Sequence, residues 1–368
     1  MLRKILIGLC GLLILAFIGL AFLVSNTSDC PSALRAGHSD DGMMAVLRPC
    51  YGSPDVLEYV LTDVPEPADD EVLVRVVAAS VNPLDYHFMR GSPYIMRLML
   101  GTGAPDNARF GRDFAGTVVA TGSEVTRFAP GDRVFGGTDG AFGEYITRPE
   151  TGSIARIPED VEFEDAAAIP IAGVTALQAL RDHGQLEPGQ RVLINGASGG
   201  VGTYAVQMAK AMGAHVTAVC SGRNVDLVRS IGADEVVNYK EESYLDSGQP
   251  FDLIVDMVGN HSPMENQKVL TPEGKLVIVG GDKGNWIAPF VVPVKALVSN
   301  LFVDQELKSF TAVMDSDDLV AVANMVADGE VVTVVDSRYP LSDTAQAIRR
   351  SESRRARGKI IIEVDDTE

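Results

Sequence analysis

Gly196-Ala197-Ser198-Gly199-Gly200-Val201-Gly202 is the segment from which the architecture of this 368-residue chain can be inferred. Glycines at positions 196, 199 and 202 keep the spacing of a loop that binds a dinucleotide. In such a loop one glycine makes the tight turn, one lets the backbone approach the pyrophosphate, and one packs the helix on the strand. The following helix would direct free N–H groups and a positive dipole end at the anion. The segment therefore predicts a dinucleotide site.

The residues on both sides of this loop have the periodicities of a strand and a helix. Arg191–Asn195 is a short apolar run, and from Val201 to Met212 apolar residues recur on one helical face. Further strand-like runs alternate with helical segments, at residues 215–220, 235–239, 253–257 and 275–279. Strands that alternate with helices are typical of a parallel, doubly wound α/β sheet.

The region before residue 165 has a different pattern. Residues 71–80 place Val72, Val74 and Val76 on one face at a period of two, as a half-buried strand requires. Other β-like runs are separated by Gly and Pro turns, and no long helical period occurs. Residues 331–335 and 359–364 are β-like again. We predict four regions: a membrane anchor and linker (1–42), a β-rich domain (43–165), a dinucleotide-binding domain (166–334) and a return to the β-rich domain (335–368).

The residues near the second strand indicate which cofactor is bound. A domain that binds NAD carries Asp or Glu about 20 residues beyond the loop. Here that position is Gly222, flanked by Ser221 and Arg223. A small hydroxyl and an arginine suit a 2′-phosphate, which predicts NADPH. Two observations keep NADH open: Arg223 has an alternative interpretation as an ordinary exposed arginine, and Asp226 lies just beyond.

The N-terminus predicts a membrane helix. Residues 5–24 are 20 residues without a charge, about the length that spans a bilayer. A cleaved signal peptide has a shorter apolar region, of roughly 7–15 residues, and a small-residue cleavage site. A lipoprotein signal needs a small residue before its cysteine, whereas Leu9 and Asp29 precede Cys10 and Cys30. We therefore expect an uncleaved single-pass anchor.

Two arguments disagree on which side of the membrane the body lies. Arg3 and Lys4 precede the apolar stretch, and the positive-inside rule would keep them cytoplasmic and send the body across. NADPH, however, is a cytosolic pool, which favours a cytoplasmic body. Two basic residues are a weak orientation signal, so the cofactor argument is preferred and the side stays open.

Charge excludes one class of partner. The formal net charge is −19 at pH 7, and such a body repels phosphate backbones, so a nucleic-acid function is disfavoured. Basic residues cluster near the C-terminus, which leaves two interpretations, a solvated helix end or a phosphate contact. The cluster comprises Arg349, Arg350, Arg354, Arg355, Arg357 and Lys359.

The cysteines exclude a structural zinc lobe. The chain has four cysteines, none in a C-x-x-C pair or at zinc-site spacing: Cys10, Cys30, Cys50 and Cys220. Cys30 and Cys50 are expected to be separate free thiols. The alternative is that they pair, if the body lies in an oxidising compartment.

Together these motifs resemble the medium-chain dehydrogenase/reductase superfamily over about residues 43–366, and within it the quinone oxidoreductase branch. The subgroup that it most resembles includes the mitochondrial reticulon-4-interacting protein and plastid-envelope quinone oxidoreductase-like proteins. Besides the glycine loop, six segments carry the resemblance: Val81-Asn82-Pro83-Leu84-Asp85, Gly111-Arg112-Asp113-Phe114-Ala115-Gly116, Pro130-Gly131-Asp132-Arg133-Val134, Ala172-Gly173-Val174-Thr175-Ala176, Ser230-Ile231-Gly232-Ala233-Asp234 and Ala356-Arg357-Gly358-Lys359.

The resemblance implies a GroES-like catalytic domain, a Rossmann domain and an active site in the cleft between them. It also implies that the chain holds no metal. Zinc-dependent relatives carry a cysteine where this chain has Asn82, and a His-Glu pair where it has Arg112 and Asp113. Ile171 falls about where their third ligand lies. Without cysteine or histidine at these places there is no tetrahedral zinc site.

The resemblance also assigns individual residues. Ser198, Gly200 and Val201 match pyrophosphate contacts, and Thr175 matches a position beside the nicotinamide ribose. Ser221 and Tyr239 match residues around the 2′-phosphate, while Arg355, Ala356 and Arg357 match a C-terminal cofactor contact, with Arg355 where relatives often have histidine. Asn82, Asp85 and Tyr94 match polar positions of the substrate cleft. Three have structural alternatives: Asn82 suits a turn before Pro83, Asp85 a helix cap, and Tyr239 an edge strand.

These assignments predict an NADPH-dependent, zinc-independent transfer of hydride to a quinone or a conjugated carbonyl. Asn82 or Tyr94 would donate to the resulting oxyanion, and water or Tyr94 would supply the proton. One alternative is a reductase of 2-alkenal or enone double bonds. Another is a membrane-tethered NADPH-binding sensor or scaffold with little turnover. Homodimers are the habit of the family.

Overall fold

The computed structural model describes residues 19–28, 30, 42–280, 284, 286, 297, 299–300 and 304–365. Most of the predicted membrane anchor, residues 5–18 of 5–24, lies outside these ranges. Residues 19–25 are helical. Among the residues described, none of the helices combines the length and the apolar character that crossing a bilayer requires.

Fifteen strands are described. In chain order they are β1 (Met43–Leu47), β2 (Glu58–Thr62), β3 (Glu71–Val81), β4 (Asp113–Thr121), β5 (Arg133–Gly137), β6 (Tyr145–Pro149), β7 (Ile154–Arg156), β8 (Arg191–Asn195), β9 (His215–Cys220), β10 (Glu235–Asn238), β11 (Phe251–Asp256), β12 (Leu270–Ile278), β13 (Glu306–Ser309), β14 (Val335–Pro340) and β15 (Lys359–Glu363).

The α-helices in the described ranges after residue 42 are short or amphipathic. They are α1 (Pro83–Arg90), α2 (Arg97–Leu100), α3 (Phe163–Ala168), α4 (Pro170–Gln178), α5 (Gly200–Ala211), α6 (Val225–Ser230), α7 (Pro263–Gln267), α8 (Ser316–Ala327) and α9 (Thr344–Glu352). A single-turn 3₁₀ helix, Tyr94–Met96, precedes α2.

The first sheet has seven strands in the order β14-β15-β3-β4-β5-β7, with β6 also paired to β3. Its central strand β3 forms because Val72, Val74 and Val76 alternate on one face, where all three are fully buried. The C-terminal strand β15 lies antiparallel beside β3, with Ile361 opposite Ser80. Residues near both ends of the chain therefore build one sheet.

The second sheet has six parallel strands in the order β10-β9-β8-β11-β12-β13. Counted from β8, this is the 3-2-1-4-5-6 order of a Rossmann sheet, whose ligands bind where the strand order reverses. That point lies between β8 and β11, at the carboxyl end of β8. The α/β class, with a β-rich unit and a doubly wound parallel sheet, is confirmed.

One apolar core joins the two sheets. Its buried side chains include Ala115 and Phe135 of the first sheet and Ile194 and Val277 of the second. Helix α4 contributes Val174 to the same core. Because these side chains pack together, the relative position of the two sheets is fixed by apolar contacts.

Two details of secondary structure differ from the sequence patterns. The strand expected at 331–335 begins only at Val335. Helix α1, within a region that shows no long helical period, has eight residues. It forms because Asn82 is its N-cap residue, Pro83 its first residue, and Gly91 ends it with a φ of +53°. These are end signals rather than a periodic pattern.

Cys30 and Cys50 form a disulfide, which corrects the expectation of two free thiols. Their Cα atoms are 5.2 Å apart, within the range that a disulfide requires. The two residues are brought together because the segment after residue 25 lies against the domain that contains the first sheet, called the first domain below. There the N–H of Ser28 donates to the carbonyl of Gly103 at 3.0 Å. Cys220 is buried and free.

Candidate active site

The glycine loop lies at the carboxyl end of β8, where the strand order reverses. Gly196 has a φ of +95°, a conformation that favours glycine. A Cβ on Gly202 would overlap the carbonyl oxygen of Gly196, so only glycine allows this close packing of helix on loop. Gly199 precedes helix α5, which begins at Gly200. The loop thus has the geometry that receives a pyrophosphate at a helix N-terminus.

The loop is also held by a side chain from the next crossover. Asn224 Nδ2 donates to Ser198 Oγ at 2.7 Å. Asn224 is buried and follows the turn of Ser221 and Arg223 at the end of β9. This contact joins the loop to the position where an adenosine ribose would lie in a Rossmann domain.

Residues predicted around a 2′-phosphate gather at this second position. Arg223 Nη2 donates to the carbonyl of Arg355 at 2.7 Å. Tyr239 has 58% of its surface exposed, and its N–H donates to the carbonyl of Cys220 at 3.1 Å. Arg223, Arg355 and Tyr239 therefore surround the end of β9, and Ser221 is the first residue after this strand.

The C-terminal segment crosses the glycine loop. Gly358 N–H donates to the carbonyl of Ser198 at 3.0 Å, and Gly199 and Gly358 form a parallel bridge. Arg357 N–H donates to Asp336 Oδ1 at 2.8 Å. Arg357 is thus held one residue away from the backbone contact with the loop.

The residues of the predicted basic cluster have different partners. Arg350 makes a two-contact ion pair with Asp336, at 2.7 and 2.8 Å, and Arg349 pairs with Asp55. Lys359 is only 2% exposed, so for this residue neither a solvated helix end nor a surface phosphate contact is correct. The physical reason is that Lys359 opens the apolar strand β15, whose inward direction carries its side chain into the core.

Lys359 is the centre of a buried polar network. Its ammonium donates to Asn82 Oδ1 at 2.7 Å and lies 3.5 Å from Asp113 Oδ2. Its Cδ would touch a Cβ placed on Gly200, at 3.3 Å. The lysine therefore passes beside the start of helix α5 before it reaches the first domain.

Asp113 collects hydrogen bonds from three sides. Its Oδ2 accepts from Asn82 Nδ2 at 2.8 Å, from Ser80 Oγ at 3.2 Å and from the N–H of Ile171 at 3.3 Å. Ile171 is in the first turn of helix α4, so the network connects both domains. Asn82 Nδ2 also lies 3.4 Å from the carbonyl of Ser80. The amide of Asn82 is thereby engaged within the network.

Burial acts on both charges of this network. Burial raises the pKa of Asp113, although the Lys359 ammonium and the Asn82 amide oppose the rise. Burial likewise lowers the pKa of Lys359, and Asp113 opposes the fall. Each of the two charges thus favours the charged form of the other and acts against the effect of burial.

One carboxyl oxygen of Asp85 accepts a hydrogen bond at the start of helix α1, and the other has no partner among the described residues. Its Oδ2 accepts the N–H of Asn82 at 2.7 Å, which confirms that Asp85 caps a helix. Its Oδ1 is buried and has no hydrogen-bond partner among the described residues. Burial, with the nearby charge of Asp113, raises the pKa of Asp85 to about 7. The carboxyl is therefore partly protonated near neutral pH and can donate a proton.

Asp85 lines a cavity of about 130 Å³ in the first domain. The wall is rich in charged side chains of both signs. Its residues are Arg48, Asp85, Phe88, Met99, Leu100, Asp106, Asn107, Arg109, Phe110, Gly111, Arg112 and Asp139.

Thr175, predicted beside the nicotinamide ribose, and Tyr94, predicted in the substrate cleft, do not line this cavity. Thr175 is buried on helix α4, one turn beyond Ile171, which contacts the network. Tyr94 is outside the cavity wall; its ring stacks on the Arg97 guanidinium at 4.7 Å and meets Trp286 edge-on at 5.2 Å. The structure thus brings Asn82 and Asp85 together and leaves Tyr94 apart from them.

Sequence reasoning missed Asp113, Lys359 and Arg48 as members of a site. For Lys359 a signal existed, because a lysine at the start of the apolar run 359–363 is unusual for a strand with both faces buried. Arg48 follows an equally apolar strand, β1. The one sequence signal at Asp113 is that it stands where zinc-dependent relatives have a metal-binding pair.

The positions of zinc ligands hold an amide, a guanidinium and a carboxylate paired with an ammonium: Asn82, Arg112 and Asp113 with Lys359. Across the part of the chain that the structure describes, His, Cys, Asp and Glu nowhere form a group of three that could hold a metal ion.

Two family models match the chain. The Alcohol dehydrogenase GroES-like domain matches residues 68–159, and the Zinc-binding dehydrogenase model matches residues 231–362. They fall on the first domain and on the later part of the chain, respectively.

Similar proteins match over most of their length. A chloroplast envelope quinone oxidoreductase homolog of Arabidopsis thaliana is 36% identical over 328 residues, covering 83% of this chain and 94% of the relative. A trans-enoyl reductase of Aspergillus terreus is 34% identical, with 81% and 87% covered. The mitochondrial NAD(P)H oxidoreductase RTN4IP1 of Bos taurus is 31% identical, with 85% and 87% covered. The resemblance inferred from the motifs is confirmed.

The fold also matches a solved structure, a quinone oxidoreductase from Coxiella burnetii. The TM-score is 0.79 at 28% sequence identity, with 88% of this chain and all of the other covered. The two-domain arrangement described above is therefore shared with an enzyme of known structure.

Proposed function

Because the chain belongs to the medium-chain dehydrogenase/reductase superfamily, and is thus an oxidoreductase with a nicotinamide cofactor, we propose that it uses NADPH to reduce a quinone or a conjugated carbonyl without a metal. NADPH, when bound, supplies the hydride. The residues of the chain bind it, orient the acceptor and supply the proton.

One observation carries this proposal: Asp85 is a buried carboxyl with a pKa of about 7 and a free Oδ1 in a cavity. An acceptor that receives hydride gains negative charge on its oxygen and then needs one proton. Protonated Asp85 can hydrogen-bond this oxygen and donate that proton. The products are a hydroquinone from a quinone, or an enol that tautomerises to a saturated ketone from an enone.

In this mechanism Asn82 positions rather than donates. Its amide is engaged by Asp113 and Ser80, and its carbonyl by Lys359. Its backbone N–H holds Asp85 Oδ2, which leaves Oδ1 free for the cavity. We therefore transfer the role of oxyanion donor from Asn82 and Tyr94 to Asp85.

The absence of zinc is proposed from the donor set. An ammonium 2.7 Å from Asn82 Oδ1 already supplies the positive charge at this place. A second cation would be repelled by it, and the Asn82 amide and the Arg112 guanidinium are not among the ligands that zinc prefers. Lys359 would thus replace the metal as the local positive charge, without acting as a Lewis acid.

NADPH rather than NADH is proposed from Ser221, Arg223 and Arg355. Arg223 reaches the carbonyl of Arg355 at the end of β9, so two guanidinium groups can meet a phosphate there. Arginine recognises phosphate well because its donors form a planar fork. No carboxylate follows β9 before Asp226.

A membrane tether through residues 5–24 is also part of the proposal. The chain contains this uncharged stretch, and a relative is named for the chloroplast envelope. Leu20, Phe22 and Leu23, in the described part of this stretch, are exposed. Met99, which lines the cavity, is 86% exposed. NADPH supply favours a cytoplasmic body, whereas the Cys30–Cys50 disulfide favours an oxidising compartment, so the proposal is limited to the tether itself.

A second candidate is the reduction of enone or 2-alkenal double bonds, with quinones incidental. The 34% identity to a trans-enoyl reductase favours it. The same Asp85 would then protonate an enolate rather than the oxygen of a hydroquinone anion, so the residues involved are shared and only the preferred acceptor differs.

The test is a comparison of acceptors with the full-length chain in detergent. Oxidation of NADPH and of NADH would be followed by absorbance with an ortho-quinone, a para-quinone and a 2-alkenal. NADPH-selective turnover of a quinone supports the proposal, and turnover of the alkenal alone moves the function to the second candidate. NADPH binding without turnover of any acceptor would instead indicate a sensor or scaffold.

A further inference from the structure

Arg48 is a buried cation with unused hydrogen-bond donors. The residue is 4% exposed and lies on the cavity wall. Its Nη2 donates to the carbonyl of Asn107 at 3.2 Å. Its Nε and Nη1 have no hydrogen-bond partner among the described residues. Aromatic rings cover the guanidinium, with the ring centres of Tyr51 and Phe110 at 5.7 and 6.0 Å.

A buried guanidinium with free hydrogen-bond donors is expected to bind an anion. A guanidinium stays charged in proteins, and an unpaired buried charge is among the most destabilising features that a fold can contain. Burial lowers the pKa of Arg48, although Tyr51, Asp139 and Asp85 oppose the fall. Buried polar groups without a partner usually indicate a missing water, ion or ligand.

Among the described residues, none of the acidic residues of the cavity forms an ion pair with Arg48. Asp139 pairs with Arg112. Asp85 is directed through Oδ2 to Asn82, and its pKa of about 7 leaves it partly neutral. Among the described residues, no ion pair joins Asp106 to Arg48. Asp139 and Asp85 stabilise the charge of Arg48 from a distance, but the Nε and Nη1 donors of Arg48 have no hydrogen-bond partner among the described residues.

We propose that Arg48 binds a carboxylate of the acceptor, so that the acceptor is a conjugated carbonyl compound with an acid group. This inference rests on the proposed reductase function and names its substrate class. The free Nε–H and Nη1–H donate charge-assisted hydrogen bonds to the carboxylate oxygens. Asp85 Oδ1, in the same cavity, meets the carbonyl oxygen that receives the proton.

The size of the cavity limits how much of the acceptor it encloses. At about 130 Å³ it is smaller than the ~300–1,000 Å³ typical of sites that enclose a drug-sized ligand. It therefore holds the short polar part of the molecule, with the carboxylate and the conjugated carbonyl. A longer apolar tail would leave past Met99, which is exposed on the wall.

The experiment compares an acid with its ester. The full-length chain, with NADPH, would be given a short 4-oxo-2-alkenoic acid and its methyl ester, in the wild type and in Arg48→Met and Arg48→Lys. We expect kcat/KM of the wild type to favour the acid by roughly 10–100-fold, because hydrogen bonds between charged partners contribute that much. Arg48→Met should lose this preference, so that this variant turns over the acid no faster than the ester. Arg48→Lys should keep part of the preference.

The outcomes separate this inference from the proposed function. Equal turnover of acid and ester by the wild type overturns the carboxylate site, and so does an unchanged preference in Arg48→Met. The ratio of kcat/KM for the acid to that for the ester in the wild type tests the carboxylate site even if Arg48→Met does not fold. Failure of the wild type to reduce the acid, the ester and the quinones contradicts the proposed function instead. In that case calorimetric titration of the acid into wild type and Arg48→Lys tests the site directly, and equal or absent binding overturns it.

Discussion

The ammonium of Lys359 donates to the side-chain oxygen of Asn82 at 2.7 Å, across 277 residues of chain. Lys359 follows the backbone that crosses the glycine loop, and Asn82 precedes the helix that carries Asp85. One buried side chain therefore connects the cofactor loop with the carboxyl that we assign to proton transfer. A substitution in the cofactor loop should therefore affect Asp85, and a substitution at Asp85 should affect the loop.

Removal of this lysine is the first test. We expect Lys359→Met to lower the free energy of unfolding by about 3–5 kcal/mol, because Asp113 would lose the charge that compensates it in a buried site. Chemical denaturation followed by circular dichroism measures the change. The double variant Lys359→Met/Asp113→Asn should recover part of it, since no unpaired charge remains.

Lys210→Met is the matched control for this variant. Lys210 pairs with Asp234 at 2.9 Å, but its side chain is 35% exposed, and pairs near the surface contribute only about 0–1 kcal/mol. If Lys359→Met costs no more than Lys210→Met, the charge of Lys359 does not stabilise the network, and our account of it is wrong.

The pH dependence of turnover tests Asp85. Its pKa is raised to about 7 by burial, so the proton donor is present below about pH 7 and is lost above it. We expect kcat to fall as pH rises through this value. Asp85→Asn should lower kcat by roughly 10²-fold or more and leave the remaining rate without this pH limb. Asp106→Asn, in the same cavity wall, should keep the limb; its disappearance there would remove the assignment to Asp85.

The same carboxyl should influence stability in a predictable direction. A pKa of about 7 in the folded protein, against 3.8 in the reference state, means that the folded protein retains a proton that the unfolded chain releases. Stability from this group is present below about pH 4 and is lost as pH rises to about 7, by roughly 4 kcal/mol at most. Asp85→Asn should therefore be as stable as the wild type at low pH and more stable above neutrality.

Urea denaturation of both proteins at several pH values measures this difference. The side-chain amide oxygen that Asp85→Asn introduces can still accept the N–H of Asn82, so the helix start is retained. Parallel pH profiles of the two proteins would show that Asp85 is not a group whose protonation is coupled to folding.

The fold could be predicted because its signals are periodic and local. The alternation in residues 71–80 and the helical face after Val201 each lie within one element, and the glycine loop joins them at fixed spacing. Helix α1 had no such period and depends on signals at its ends. The Rossmann and β-rich units therefore follow from the sequence, whereas the short helices near the cavity do not.

The site could be predicted only in part, because its contacts are long-range. Asn82 and Asp85 belong to one motif, but the partner of Asn82 lies 277 residues away. The same applies to the disulfide of Cys30 and Cys50, which depends on how the N-terminal segment lies on the domain. Arg48 belongs to no sequence motif. It is recognised as a site residue only in the structure, by its burial and by its unused hydrogen-bond donors.

Cofactor preference can be tested at Arg223. We expect Arg223→Met to lower kcat/KM for NADPH by roughly 10–100-fold, because a charge-assisted contact to phosphate would be lost. NADH, which has no 2′-phosphate, should change by less than about threefold. Steady-state kinetics with both cofactors measures this. The control is Arg229→Met, on helix α6, which follows Arg223. Equal losses of kcat/KM for both cofactors in Arg223→Met would contradict a phosphate contact.

Arg97 fastens the N-terminal segment to the catalytic domain. The buried guanidinium lies over the ring of Tyr51 at 4.6 Å and donates to five backbone carbonyls, those of Val24, Ser25, Asn26, Arg90 and Gly91. The carbonyls at the end of a helix have no partners of their own within it. A cation placed there satisfies them and also interacts favourably with the helix dipole.

We therefore expect Arg97→Met to release this segment. Hydrogen bonds to a charged group contribute about 1.5–3 kcal/mol each, so the loss of several should lower stability by at least about 2 kcal/mol and expose residues 24–28 to proteases. Limited proteolysis with mass spectrometry of full-length protein in detergent measures the exposure. Arg97→Lys keeps the charge but not the planar fork and should show an intermediate effect. Unchanged protection in Arg97→Met would mean that the Cys30–Cys50 disulfide alone holds the segment in place.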